Sequence, residues 1–151
     1  MRQQPVDLIA DIGGSTLRFA LVEQGFVTRA ATFDWPDPPS ILHVAKAFLD
    51  GTSPRAVAIA LASPVTGDDR LVMPNRLWQG QPWSFSQKQL QHDLGAGRLV
   101  VLNDFTAVAQ AVPRLTPADF VQVGGEETPS PGWPVGVIGP GTGLGMSGVV
   151  W

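Results

Sequence analysis

The chain has 151 residues, 44% of them hydrophobic and 15% charged, the balance of an ordinary soluble globular domain with one substantial core. A net charge of −3, with Lys46 and Lys88 the only lysines and the arginines scattered, excludes a nucleic-acid surface. The absence of cysteine excludes disulfides, thiol nucleophiles and thiolate metal sites. No apolar run approaches the roughly 20 residues of a membrane span, and the start MRQQPVDLIAD has no long apolar signal region, so a cytoplasmic protein without a membrane partner is expected. His43 and His92 are isolated and expected to be structural.

In chain order, Val6 to Ile12 is apolar enough for a buried strand, and Gly13-Gly14-Ser15-Thr16 turns it into a second strand over 17–22. Gln24-Gly25 is another turn and 26–33 a third strand, giving an antiparallel meander. After a proline-rich loop, Ser40 caps a helix over Ile41 to Leu49, with Gly51 just past its end. Ala56 to Leu61 is the next buried strand, followed by a turn that brings the hydroxyls of Ser63 and Thr66 to its far end. A short strand over 70–74 and a helix over 86–94 closed by Gly95 lead to residues 98–113, RLVVLNDFTAVAQAVP.

That stretch organises the chain. Val100, Val101 and Leu102 form a short apolar run typical of a strand covered on both faces. Asn103 and Asp104 stand at its end, and a helix over 106–112 is stopped by Pro113. In open α/β sheets ligands bind beyond the carboxyl ends of the strands, so these polar side chains face a cleft; Asp104 is equally a helix cap. Beyond it come a short helix near 117–120, a Gly/Pro-rich loop over 124–134, a strand over 135–138, the turn Gly139-Pro140-Gly141-Thr142-Gly143-Leu144-Gly145, and a strand over 146–151 for which the sequence shows no partner.

Both glycine turns let backbone N–H groups approach an anion, with phosphate the natural guest. Neither fits G-x-G-x-x-G or the P-loop pattern, so dinucleotide folds and P-loop enzymes are disfavoured. Without a lysine in either loop, phosphate charge falls to N–H dipoles and a metal, and Asp11 can orient a hydrated Mg²⁺. Gly145-Met146-Ser147-Gly148-Val149 lacks the last glycine of a nucleophile elbow and has no histidine after it, which excludes a serine hydrolase. Trp35, Trp78, Trp83, Trp133 and Trp151 are expected to supply packing rather than sugar stacking.

Four ordered motifs resemble the bacterial glucokinase family, in the larger group of sugar kinases, actin and Hsp70-type ATPases: Ala10-Asp11-Ile12-Gly13-Gly14-Ser15, Ala62-Ser63-Pro64-Val65-Thr66-Gly67-Asp68, Leu102-Asn103-Asp104-Phe105-Thr106-Ala107 and the second glycine turn. The resemblance implies an α/β fold, the ribonuclease-H-like N-terminal lobe of the actin-like ATPases, βββαβαβ with a mixed sheet. It implies that residues 1–151 form this lobe alone, ending at the second phosphate loop and the strand after it, with the C-terminal lobe absent. It further implies glucose as substrate and ATP with Mg²⁺ as cofactors. Ala10, Asp11, Ile12, Gly13, Gly14 and Ser15 would lie beside ATP, Asp11 would meet the metal through water, and Gly141, Thr142 and Gly143 would belong to the second phosphate loop. Asn103 would hold a glucose hydroxyl, and Asp104 would bind the sugar and act as catalytic base. Ala10 where the family often has glycine, Ser15 for a common threonine, and a longer stretch over 75–83 are departures.

The expected activity is ATP-dependent phosphorylation of glucose at its 6-hydroxyl, the entry to glycolysis. The alternatives are a noncatalytic sugar- or nucleotide-binding module, one half of a split kinase with a separately encoded C-terminal lobe, and a general actin-like nucleotide binder. An exposed interlobe surface would favour a homo-oligomer.

Overall fold

The computed structural model describes residues 5–125, 132–140 and 144–151. The chain divides between Asn103 and Asp104 into two compact units, Met1–Asn103 and Asp104–Trp151.

In the first unit, β1 (Val6–Ile12), β2 (Thr16–Glu23) and β3 (Phe26–Asp34) form the expected meander, followed by α1 (Ile41–Leu49) and β4 (Ala56–Leu61). A hairpin of β5 (Arg70–Trp78) and β6 (Gln81–Ser86) comes next, then α2 (Gln87–Leu94) and β7 (Arg98–Asn103). The five-stranded sheet has the order β3-β2-β1-β4-β7 and is mixed: β1 pairs antiparallel with β2 and parallel with β4, and β4 pairs parallel with β7. This is the βββαβαβ order the resemblance implies, with one hairpin added.

Alternation along the strands decides which face is the core. Leu8 and Ile12, Leu17 and Phe19, Val57, Ile59 and Leu61, and Val101 are all buried and, by register, share one face. Val44 and Phe48 of α1 and Leu90 and Leu94 of α2 belong to the same core. Phe48 stacks on Phe19 at 5.9 Å between ring centroids and meets Phe33 edge-on at 6.0 Å. The opposite face carries smaller and more polar side chains, including Asp11, Arg18, Ala20, Ala58 and Ala60, and leaves Ile9 39% exposed.

Both helices of this unit are defined by their ends. The Ser40 hydroxyl accepts the His43 N–H at 3.1 Å, and the chain leaves α1 through left-handed Asp50 and Gly51 (φ 49° and 79°). For α2 the Ser86 hydroxyl accepts the Gln89 N–H, while Asp69 takes the Ser86 O–H at 2.7 Å and the Lys88 N–H at 2.8 Å. The Lys88 N–H, which contributes most, and the Ser86 hydroxyl hold the Asp69 carboxyl below the usual carboxylate range.

Three expectations change in this unit. The short strand over 70–74 runs to Trp78 and pairs with β6, which the sequence reading missed because Pro82 and the turn at Gln79-Gly80 break its apolar pattern. The extra length over 75–83 is this hairpin. The strand at 98–103, read as the central one, stands at the edge of the described sheet beside β4, with Val101 buried and Leu99, Val100 and Leu102 half-buried. Apolar composition alone does not separate a central strand from an edge strand.

The second unit opens with α3 (Asp104–Ala111), two residues earlier than expected, and continues through Pro113 in a 3₁₀ turn (Val112–Arg114), where a missing N–H costs less than inside an α-helix. A second 3₁₀ turn (Pro117–Asp119) is fixed by Asp119, whose carboxylate accepts the Thr116 N–H and hydroxyl at 2.7 and 2.8 Å. The last two strands, β8 (Val135–Pro140) and β9 (Leu144–Val149), pair as an antiparallel hairpin, so the closing strand does have a partner. Alternation in β8 and β9 is masked by glycine at Gly136, Gly139, Gly145 and Gly148, which is why sequence periodicity did not reveal the pairing.

Candidate functional site

Strand register sets the site. Ile12 pairs with Leu61 across the parallel β1–β4 ladder, and Leu61 pairs with Asn103 across β4–β7. Three parallel strands therefore end at one level, and the polar segments that follow them share the carboxyl edge of the sheet. The Ala62 N–H donates to the Ile12 carbonyl at 3.0 Å, carrying the ladder one residue past the strand ends.

At the first strand end the chain turns through Gly13, Gly14 and Ser15. The Gly13 N–H donates to the Thr16 carbonyl at 2.9 Å, closing the turn, and its own carbonyl accepts the Trp35 indole N–H at 3.0 Å. A Cβ on Gly13 would lie 3.3 Å from the Thr16 carbonyl oxygen, whereas one on Gly14 would meet nothing within 4 Å. The turn is thus tight at Gly13 and open over Gly14, the arrangement a backbone needs to let a bulky anion approach. Ala10 and Ile12 flank Asp11 in β1, and Ile12 is fully buried, so these two place the turn rather than present side chains to a ligand.

Asp11 stands opposite Arg18 in the β1–β2 ladder, and its Oδ2 accepts the Arg18 guanidinium at 2.8 Å. The side chains are 47% and 62% exposed, so the pair is weak and solvent-screened. The sequence reading missed Arg18; residues paired across a hairpin could have found it, since the turn fixes which side chains oppose each other. A half-exposed carboxylate with one oxygen engaged suits a hydrated Mg²⁺, which keeps several waters and takes one or two protein carboxylates. Among the described residues no cluster of three or more metal-ligating side chains occurs.

At the second strand end Ser63 is buried at 4% exposure, and its hydroxyl donates to the Val72 carbonyl of β5. Thr66 donates to Asp68 at 2.8 Å. These hydroxyls, singled out from the sequence, therefore tie the loop down. Ser63 also serves the third strand end, because its carbonyl accepts the Asn103 side-chain amide at 3.3 Å. That bond orients Asn103 with its amide N–H toward Ser63.

Asp104 follows Asn103 in the chain and opens α3, and its Oδ1 accepts the Phe105 N–H at 2.9 Å. Asp104 is the first residue of α3 rather than a cap before it, and a negative side chain in the first turn is favoured by the helix dipole. Phe105 explains two glycines that the sequence assigned to a phosphate loop. Gly139 and Gly145 pair across β8–β9, and a Cβ on either would overlap the Phe105 ring. Their lack of a side chain makes room for that ring. Gly141, Thr142 and Gly143 lie outside the described residues.

Of the tryptophans, Trp35 and Trp83 pack as expected, at 5.1 Å edge-to-face, with Trp83 stacked on Phe85 at 5.4 Å. Trp133 and Trp151 are 58% and 64% exposed, the Trp151 indole donating to the Trp133 carbonyl. No helix among the described residues is long and apolar enough to cross a membrane.

The family model for glucokinase matches residues 8–151. A glucokinase of Aromatoleum aromaticum is 44% identical over 149 residues, covering 95% of this chain and 43% of its own length. A bifunctional protein of Paraburkholderia xenovorans is 43% identical over 147 residues, with 22% of its length covered. The crystal structure of a glucokinase from an Antarctic psychrotroph superimposes with a TM-score of 0.78 at 28% identity, over 98% of this chain and 47% of that one. A glucokinase of the ROK family from Streptomyces griseus, solved with glucose and AMPPNP, shares the fold at a TM-score of 0.65 and 24% identity, over 96% of this chain and 44% of that one. The chain thus spans less than half the length of these relatives. The family model's match from residue 8 through residue 151 shows that the chain belongs to the glucokinase family.

Proposed function

We propose that this chain is the N-terminal lobe of an ATP-dependent glucokinase, holding the sugar at Asn103 and Asp104 and ATP's phosphates at the first glycine turn. The register that ends β1, β4 and β7 at one level carries this reading, because it puts the open turn after Asp11 and the amide of Asn103 on one sheet edge. Asn103, fixed through Ser63, presents a side-chain amide to a sugar hydroxyl. The neighbouring Asp104 carboxylate accepts the proton of the 6-hydroxyl as that oxygen forms its bond to the terminal phosphorus. The bond from phosphorus to the bridging oxygen breaks, and ADP leaves with the electron pair.

The backbone N–H groups of Gly14 and Ser15 face the phosphate oxygens, and Asp11 orients waters around a bound Mg²⁺. A bound Mg²⁺, held through water by Asp11, would supply neutralisation of phosphate charge. Gly141, Thr142 and Gly143 supply the second phosphate loop. Most of the acceleration comes from alignment, worth roughly 7–11 kcal/mol, and general-base assistance adds about 10²–10⁴-fold. The glucose and AMPPNP of the Streptomyces griseus structure support this substrate pair. The reading places the protein in the cytoplasm.

The test is Asp104→Asn in a complete kinase carrying this lobe. Its rate of glucose 6-phosphate formation should fall by about 10²–10⁴-fold with little change in the KM for ATP. An unchanged rate would remove Asp104 from the chemistry.

A further inference from the structure

Arg76 is a charged group that neither the motifs nor the proposed reaction uses. It lies in β5, where pairing with β6 jumps from Met73 to Leu77 and leaves Pro74, Asn75 and Arg76 outside the ladder. The residue is half-buried, and its Nε is fully buried with no hydrogen-bond partner among the described residues. It makes no ion pair there either. An arginine so placed is unusual, because a buried guanidinium N–H normally finds an acceptor.

Its surroundings supply support without an acceptor. The guanidinium carbon sits 5.0 Å from the centroid of the Trp35 ring. The same indole donates its N–H to the Gly13 carbonyl at 3.0 Å and is braced edge-on by Trp83, whose own N–H is fixed on the Pro39 carbonyl at 3.1 Å. One indole therefore holds both the first glycine turn and Arg76. With Nε buried, the two terminal nitrogens of the guanidinium are the donors left for an acceptor, and their spacing matches two oxygens of one phosphoryl group. The turn itself has no cation to spare, since Arg18 is engaged by Asp11.

We infer that Arg76, held on Trp35, is a binding residue for the phosphoryl group being transferred, either as the terminal phosphate of ATP or as the phosphate of the hexose 6-phosphate product. The inference rests on the proposed placement of phosphate at the first glycine turn. It supplies the fixed positive charge that the turn lacks.

The experiment is nuclear magnetic resonance titration of the ¹⁵N-labelled 151-residue chain, one arm with Mg-ATP and one with glucose 6-phosphate, followed at the Arg76 Nε–H, the Trp35 indole N–H and the amides of residues 13–15. Arg76 and the turn should shift together in at least one arm, and the arm that moves them identifies which form of the phosphoryl group is held. Arg76→Gln should weaken that binding about tenfold, the loss of one charge-assisted hydrogen bond. Arg76→Lys, which keeps the charge and loses the fork, should weaken it less. Shifts at residues 13–15 with Arg76 silent and Arg76→Gln binding as wild type would overturn the inference and leave the phosphate at the turn. No shift at either place in either arm would overturn both.

Discussion

Gly145→Ala separates a packing role from a phosphate role for the second glycine turn. Gly145 lies in β9 without a left-handed backbone, so on conformational grounds alone alanine should stabilise the chain by about 0.4–1 kcal/mol through the unfolded state. The structure predicts the opposite sign, because the new methyl group would overlap the Phe105 ring. Displacing that ring costs roughly 1–3 kcal/mol by the usual penalty for overpacking. With a slope of about 2 kcal/mol/M in urea, a loss of about 2 kcal/mol lowers the midpoint by about 1 M.

The assay is urea unfolding followed at the amide signals of β8 and β9, with Gly136→Ala as control, since a Cβ there meets nothing within 4 Å. The control should be neutral or slightly stabilising. Phe105→Leu in the Gly145→Ala background should recover part of the loss, with a coupling energy of about 1 kcal/mol or more. A stabilising Gly145→Ala, or strict additivity with Phe105→Leu, would refute the packing argument.

Three further outcomes are expected. Trp35→Phe keeps the ring contacts and deletes the N–H on the Gly13 carbonyl, so stability should drop by about 1–3 kcal/mol and exchange of the Gly13 turn amides should quicken; unchanged exchange would show that the indole does not hold the turn. Asp11→Asn should change stability by less than about 1 kcal/mol, its ion pair being exposed, yet remove the Mg²⁺ dependence of ATP binding; isothermal titration with and without Mg²⁺ decides. Asp7 titrates below the usual carboxylate range, mainly through the hydrogen bond from Arg55, as does Asp119 through the Thr116 N–H. Folded-state values below unfolded ones mean that this stabilisation is present above about pH 4 and is lost as pH falls through the folded values. Acid unfolding of Asp7→Asn should accordingly show a shallower pH dependence than wild type, and superimposable curves would contradict the assignment.

Most of the sheet was legible because its strands read as short apolar runs between turns and its helices carry their own punctuation: Ser40, Ser86 and Gly95 mark ends that the hydrogen bonds reproduce. The strand ends were legible for the same reason, since Gly13, Ala62 and Asn103 each follow an apolar run. What the sequence did not show was pairing. The β6 strand begins with Gln81-Pro82, and β8 and β9 are so rich in glycine that no face stands out. Pairwise chemistry was equally hidden: Arg18 on Asp11, Trp35 on Gly13 and Phe105 on Gly139 and Gly145 join residues 7 to 40 positions apart, which only register and tertiary packing bring together. Glycine in particular reads the same in sequence whether it admits a phosphate or an aromatic ring.

The central claim is that glucose is held at the end of β7 by Asn103 and Asp104. The most direct measurement is a glucose titration of the ¹⁵N-labelled chain, watching the Asn103 side-chain amide and the Asp104 and Phe105 backbone amides, with Asn103→Ala alongside. Saturable shifts at these positions, absent in Asn103→Ala, are the predicted result. Shifts confined to other residues, or an Asn103→Ala variant that binds glucose as the wild type does, would contradict it.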